Sequence, residues 1–457
     1  MSFFYQKNKN KNYTIVEKYL TRPAVVWLFA LVLCLGCLFI NQIEEEQIQS
    51  GMELYTYQLD KDENGNYILS EKTQNNEDAL ENSVLVTGET KSAGNDSGNT
   101  IKGLNAKYAL LMDASNRRVL FEKDGYTCAP MASTTKIMTL IIALENGKMD
   151  DLVNVSKYAA SMPDVQLNIR EGEQYRLVDL LYSLMLESHN DTAVAIAEHI
   201  GGSVEGFAAL MNEKAKELGA NQTNFVTPNG LDANEHYTTA YDLALIASYA
   251  IENPDFLKIV GTPSYSFHEQ TNGRAFTVNN KDRFLTSYNG AIGIKTGFTG
   301  NAGYCFVGAV KREDKTFVSV VLASGWPPNK SYKWNDTKKL MDYGVNNYNL
   351  KEIITKDTTF QAIPVTDSIE NEPITPYVAE SVSLLVRDGE NITYDVKLPN
   401  VLNAPVKRQE TVGELTIKID DKVYKILPIY ANEGRRKITF EYILERVIRR
   451  YFGGTAF

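Results

Sequence analysis

Cysteine and histidine are scarce. The 457 residues hold four cysteines, Cys34, Cys37, Cys128 and Cys305, and four histidines, His189, His199, His236 and His268. No Cys-x-x-Cys pair lies in a polar segment and no Cys/His group has zinc-ligand spacing, so neither a metal centre nor any other cofactor is implied. A disulfide framework is excluded by number. One bond between Cys128 and Cys305 remains open for an exported chain, and the reading adopted is two isolated, buried thiols. Positive charge is short as well, 47 Lys and Arg against 57 Asp and Glu, for a net charge of −10. No basic patch with interleaved aromatics interrupts the middle of the chain, which excludes a globally basic nucleic-acid binder. Internal repeats are absent.

Only one long apolar run is present, residues 24–40, led by Arg22-Pro23 and followed by Asn41 and Glu44-Glu45-Glu46. It is long enough to cross a bilayer. Five cations against Glu17 in residues 1–22, and thirteen acids against four lysines in residues 41–103, put the N-terminus in the cytoplasm and the rest outside the cell. No small-residue cleavage site follows the run, so residues 23–40 read as an uncleaved transmembrane anchor rather than a removed signal. Leu35-Gly36-Cys37 resembles part of a lipoprotein signal, but Cys34 stands where that signal wants an aliphatic residue. Residues 41–103 read as an acidic, disordered tether, with a small hairpin possible about Asn64-Gly65.

A folded domain is expected over 104–350. Strand patterns at 108–112 and 119–121 lead to the apolar segment 137–144, which Asn146-Gly147 stops as a helix. Helical patterns follow at 177–186, 192–200, 204–218 and 240–251, then strands near 291–294, 303–311 and 316–324, and a helix at 337–343. Strands at both ends with helices between them give an α+β fold, an antiparallel sheet with an inserted helical cluster. Residues 351–430 carry short β runs punctuated by Pro and Gly and read as a small all-β domain. Residues 434–452 end the chain in a basic amphipathic helix, apolar at 440, 443, 444, 447, 448, 451 and 452. A membrane surface fits this helix better than its own β domain does, because Arg435, Arg436 and Lys437 precede it.

Three short motifs carry the chemistry. Ser133 and Lys136 stand three apart in the first turn of the 137–144 helix, where i and i+3 are neighbours and free N–H groups suit an oxyanion. Taken alone this is a helix cap and a solvated lysine. Ser188-His189-Asn190 sits between two helical patterns, where Ser188 alone would also read as a cap. Lys295-Thr296-Gly297 ends the run Gly290-Ala291-Ile292-Gly293-Ile294, a strand along which an extended substrate backbone can lie, although the lysine alone reads as merely exposed.

In the order Ser-x-x-Lys, Ser-x-Asn, Lys-Thr-Gly, separated by 55 and 107 residues, these motifs resemble the penicillin-recognising serine enzymes. More narrowly, the chain resembles the low-molecular-weight penicillin-binding proteins that act as serine-type D-alanyl-D-alanine carboxypeptidases. Residues 108–113, 224–231, 236–244 and 293–303 carry further likeness, and the β domain with its basic tail belongs to it. The resemblance covers about residues 104–452 and implies that fold.

It also implies the roles. Ser133 is the nucleophile, Lys136 the base, and Ser188 the relay of a proton to the leaving D-alanine; Asn190 holds the substrate amide and Lys136. Lys295 and Thr296 recognise the terminal carboxylate on the Gly297 strand, and the backbone N–H groups of Ser133 and Phe298 form the oxyanion hole. The implied substrate is a peptidoglycan pentapeptide, with β-lactams as covalent inhibitors, a membrane as partner and no nucleic acid. His189 departs from the small residue usual at its position and reads as cleft lining. The rivals are a β-lactamase, for which Glu217 and Asn221 have suitable spacing, and a non-catalytic wall-binding or β-lactam-sensing module.

Overall fold

The computed structural model describes residues 52–61, 67–71 and 101–452, in two compact units. The expected anchor at 23–40 lies outside them. Among the described residues no helix is long and apolar enough to cross a membrane.

The larger unit is built on a five-stranded antiparallel sheet. Its strands are β1 Tyr108–Asp113, β2 Arg118–Lys123, β3 Ala291–Thr299, β4 Gly303–Arg312 and β5 Lys315–Leu322, in the order β2-β1-β5-β4-β3. Alternate residues of β5 enter different cores. Val318, Val320 and Leu322 join the helical cluster, whereas Phe317 and Val321 pack with Leu340 and Met341 of the helix Tyr332–Asn347. Both faces are therefore buried, which is why these strands read as near-continuous apolar runs rather than as alternation. β3 lies at the sheet edge, paired on one side to β4 with Phe298 opposite Tyr304.

Between β2 and β3 lies the helical cluster: α1 Lys136–Asn146, α2 Leu177–Leu186, α3 Asn190–Gly201, α4 Val204–Glu217 and α5 Ala240–Ala250. Local chemistry starts two of these helices. Ser203 Oγ accepts the Gly206 N–H at 2.9 Å and Thr239 Oγ1 accepts the Asp242 N–H at 3.0 Å, satisfying donors that a helix start leaves free. α1 is enclosed on all sides, its first eight residues from Lys136 to Ala143 all buried. The helix expected at 337–343 is longer, Tyr332–Asn347. Its polar first turn hides the start, because Lys333, Asp336 and Thr337 are buried despite their polarity.

Two expectations about the ends of the chain need correcting. The stretch 41–103, read as a disordered tether with a small hairpin about Asn64-Gly65, contains strands at Met52–Lys61 and Tyr67–Glu71 that pair with each other on either side of those two residues, and the first also pairs antiparallel with Ile392–Pro399. They extend the smaller unit's sheet, ordered Pro376–Tyr377, Lys422–Ala431, Thr411–Ile419, Ile392–Pro399, Met52–Lys61, Tyr67–Glu71. An isolated hairpin is marginal in water; joining a preformed sheet edge is what lets this one form. Secondly, Ser381–Glu390, inside the expected β domain, belongs to the larger unit. There Arg118 donates to the Leu385 carbonyl at 2.5 Å and pairs with Glu390 at 2.5 Å.

Tyr57 pairs with Tyr394 on one side and Glu71 on the other. Tyr57→Pro removes a ladder donor at that junction and is expected to speed hydrogen exchange of the 392–399 amides about tenfold for each 1.4 kcal/mol lost. Unchanged exchange, read by mass spectrometry, contradicts the pairing.

Candidate active site

The turn before α1 is under strain. Residues Ala132–Thr135 form one 3-10 turn, and Ala132 has φ +49°, a left-handed conformation costing an L-residue about 1–2 kcal/mol. Neighbours hold it there. A Cβ at Gly230 would lie 2.1 Å from the Ala132 carbonyl oxygen, so only glycine allows that approach. Thr135 Oγ1 donates to the same carbonyl at 2.8 Å and receives His236 Nε2 at 2.9 Å, while the Val226 N–H donates to His236 Nδ1 at 3.0 Å. Burial pushes the His236 imidazole down to about 4, against the opposing pull of Asp232, so it is neutral with its one proton on Nε2.

The strain delivers Ser133 to Lys136. Lys136 is fully buried, and its Nζ lies 3.0 Å from Ser133 Oγ, 2.8 Å from Asn190 Oδ1 and 2.5 Å from the Asn229 carbonyl oxygen. Burial, then the charge of Lys295, holds its amine well below the ordinary lysine range, with Asp191 opposing. A neutral amine has two hydrogens and one lone pair. Two of its three neighbours are carbonyl oxygens that can only accept, which leaves the lone pair for the Ser133 hydroxyl proton.

Asn190 opens α3 and is fixed on three sides. Its N–H donates to Val165 O at 2.7 Å, its Nδ2 to Pro163 O at 3.3 Å, and its Oδ1 takes Lys136. Asp191 next to it accepts the N–H groups of Leu167, Asn168 and Ile169, tying that loop to the helix start. Ser188, at φ +69°, has a buried Oγ with no hydrogen-bond partner.

β3 closes the opposite wall. A Cβ at Gly297 would lie 3.0 Å from Ser133 N and 3.1 Å from Thr134 N, so the absent side chain lets the strand press against the nucleophile turn. Thr296 is half-buried, and Phe298 is 42% exposed and packs against Tyr304. Lys295, read from the sequence as exposed when taken alone, is buried. Its Nζ donates to Thr296 O at 3.1 Å. Burial and then Lys333 push its amine down to about 7, with Asp282 opposing.

The sequence reading missed Lys333, Asp282 and the Asn229 carbonyl. Lys333 sits over the Tyr304 and Trp334 rings, its amine pushed down to about 8 chiefly by burial, and Asp282 is pushed up to about 6 by burial, with one carboxylate oxygen lacking a partner. Lys333 lies in a polar run that gives no hint of burial, and a backbone carbonyl has no residue-type signal at all. His189, expected to line the cleft, is buried, its Nδ1 2.7 Å from Ser183 Oγ on α2. The carboxylate considered for a β-lactamase, Glu217, is mostly exposed and pairs with Lys214 at 2.7 Å. Cys128 and Cys305 are both free, and Cys128 is exposed rather than buried. Among the described residues no His, Cys, Asp and Glu group could hold a metal ion.

Comparison with known proteins agrees with this geometry. Residues 89–325 match the family described as D-alanyl-D-alanine carboxypeptidase, and residues 348–437 match the penicillin-binding protein 5 C-terminal domain. The chain is 32% identical over 351 residues to the D-alanyl-D-alanine carboxypeptidase DacF of Bacillus subtilis, across 75% of this chain and 89% of that one. Among solved structures it is similar to the D-alanyl-D-alanine carboxypeptidase DacD of Francisella tularensis, with a TM-score of 0.61, 25% identity, and 77% and 98% of the two chains covered. Penicillin binding protein 5 of Haemophilus influenzae shares the fold, with a TM-score of 0.63 at 24% identity over 74% of this chain and all of that one.

The Lys295 amine titrates near 7 in the folded protein and near 10.5 unfolded, so the native state sheds this proton first. The cost of burying the ammonium is fully present below about pH 7 and is relieved as pH rises from there towards 10.5. Lys295→Met is therefore expected to raise Tm more at pH 6 than at pH 9. Equal gains at the two pH values in thermal melts would contradict the assigned titration.

Proposed function

The chain belongs to the D-alanyl-D-alanine carboxypeptidase family, and from that premise we propose that it removes the terminal D-alanine from peptidoglycan stem peptides through an acyl-enzyme on Ser133. The observation that carries this is the buried Lys136 amine with its two carbonyl acceptors and one serine hydroxyl. A serine hydroxyl is a poor nucleophile until a neighbour takes its proton. With Lys136 neutral, the Ser133 Oγ attacks the carbonyl carbon of the penultimate D-alanine while its proton passes to Nζ. The oxyanion lies against the N–H groups of Ser133 and Phe298.

Ser188 then relays a proton to the leaving amine as the C–N bond breaks. Asn190 holds the substrate amide, Lys295 and Thr296 hold the terminal carboxylate, and water hydrolyses the ester, returning Ser133. Penicillin acylates the same oxygen and remains there. The full chain in detergent is expected to release D-alanine from a pentapeptide ending in D-Ala-D-Ala and to be labelled by penicillin, and Ser133→Ala to lose both by at least about 10³-fold. Labelling without release would favour a sensor, and rapid penicillin turnover a β-lactamase.

We further infer that the enzyme works outside the cell, held by residues 23–40 as a single-pass anchor and by the helix α6 Phe440–Phe452 on the membrane surface. In α6 the apolar residues Phe440, Ile443, Leu444, Val447 and Ile448 are all about half exposed, with Arg446, Arg449 and Arg450 between and beyond them. A chain beginning at residue 42 is expected to float with anionic vesicles, and Ile443→Asp with Val447→Asp to reduce this at least about tenfold. Flotation unchanged by those substitutions would remove the helix from membrane binding.

A further inference from the structure

His189 is the unusual member of the Ser188-His189-Asn190 motif, and its surroundings give it work to do. The residue precedes α3 in extended conformation, φ −62° and ψ 131°, and its buried ring faces α2. Ser183 Oγ, on α2, lies 2.7 Å from Nδ1, and Glu187 Oε2 lies 3.3 Å from Nε2. A carboxylate only accepts, so Nε2 holds the proton, and Nδ1 accepts from the Ser183 hydroxyl. Burial, the largest influence, holds the imidazole below its ordinary range; Asp191 and Glu187 oppose it, and Lys136 and Lys281 act with it. Glu187 is anchored in turn: its Oε1 accepts the Asn279 N–H and the Lys281 Nζ, each at 3.0 Å.

Ser188 thus sits between two pinned residues. Glu187 on one side is held by the 279–281 segment, and His189 on the other by α2. The serine needs such restraint, because its φ of +69° is a conformation an L-residue leaves unless its surroundings over-determine it. Its own hydroxyl adds nothing to the restraint, being buried without a partner. A small residue at position 189 would leave the wall without the bond to Ser183 and without a partner facing Glu187.

We propose that His189 is a positioning residue of the acyl-transfer site, its ring bonded to Ser183 and set against the Glu187 carboxylate so that the left-handed turn at Ser188 keeps that hydroxyl free for the reaction. This rests on the carboxypeptidase reading of the site. His189 acts through Ser188 and touches no substrate, so it sets the rate of proton delivery rather than the hold on the terminal carboxylate, which belongs to Lys295 and Thr296. It also explains why the motif tolerates a large side chain at its centre: the ring occupies the wall.

The test uses the full chain in detergent with three variants, His189→Ala, His189→Gln and Ser183→Ala, assayed for D-alanine release, the rate constant of penicillin acylation, and Tm. His189→Ala is expected to lower kcat and the acylation rate about 10–100-fold, the scale of a small misplacement of a reacting group, while KM stays within about twofold. His189→Gln, whose carboxamide also carries a donor and an acceptor, is expected to recover most of the rate. Ser183→Ala, which removes one bond and leaves the imidazole, is expected to lower kcat in the same direction. Wild-type kcat in His189→Ala would overturn the proposal, as would KM rising in step with a falling kcat without recovery in the glutamine variant. Should the alanine variant not fold, unchanged kcat in Ser183→Ala overturns it. Failure of the unaltered chain to release D-alanine and to be labelled by penicillin is a different outcome, which overturns the carboxypeptidase reading itself.

Discussion

A lysine with no exposed surface governs the architecture of the catalytic unit. An ammonium stripped of water is costly by far more than a domain's net stability unless it is paired, so the amine either finds a carboxylate or gives up its proton. The groups around Lys136 Nζ choose the second course. Asn190 and Asn229 offer neutral oxygens, and the nearest charges are Asp191, which favours the ammonium, and Lys295, whose opposition is the stronger. Such a site requires an apolar helix around the lysine, a helix start that brings Asn190 to it, and a loop that turns the Asn229 carbonyl inward. α1, α3 and the 228–230 segment supply these three things, and the remaining cluster packs about them.

The same reasoning extends to the opposite wall, where the balance differs. Lys295 and Lys333 are both buried, and burial depresses each amine's affinity for a proton, reinforced at Lys295 by Lys333 and at Lys333 by Lys330, with Asp282 partly compensating. If Lys295 receives the substrate carboxylate as proposed, two half-suppressed cations beside it are a store of unfavourable energy released when that anion arrives. On that proposal the protein is less stable than one with methionines at these positions, and the difference would become binding energy for an anionic terminus. This exchange of stability for affinity is common where charges are buried for function.

Much of this could be read from the sequence, and the limits have physical causes. The helices α1 to α5 announce themselves by apolar period, because the forces that pack a helix face are local in sequence. The three motifs identify their own residues because hydroxyl, amine and carboxamide are distinctive groups. What escaped notice depends on tertiary placement. The 2.5 Å contact from Lys136 to the Asn229 carbonyl uses an atom that every residue has. Lys333 looks like a surface residue until a helix and two aromatic rings enclose it. The pairing of Met52–Lys61 with Ile392–Pro399 joins segments more than three hundred residues apart, and no local pattern records it. Nor does the residue type of His189 say which way its ring points; the backbone at the start of α3 decides that.

Both catalytic-motif serines depend on strained left-handed turns that buried neutral histidines brace from behind. Ala132, just before Ser133, is held by Gly230 and by the relay from His236 through Thr135 to its carbonyl. Ser188 is held through His189, Ser183 and Glu187. The parallel has a reason. A hydroxyl that must exchange its proton during a reaction cannot also be tied up in the hydrogen bonds that fix its backbone, so the fixing falls to neighbours. Neutral imidazole suits that task, since it offers one donor and one acceptor on a rigid ring and adds no charge beside amines whose lowered proton affinity the chemistry requires. An Asp or Glu in either place could only accept, so it could not supply the imidazole's donor, and its charge would favour the protonated form of Lys136 and weaken the base. The two histidines therefore brace the turns without disturbing the electrostatic balance around the buried lysine.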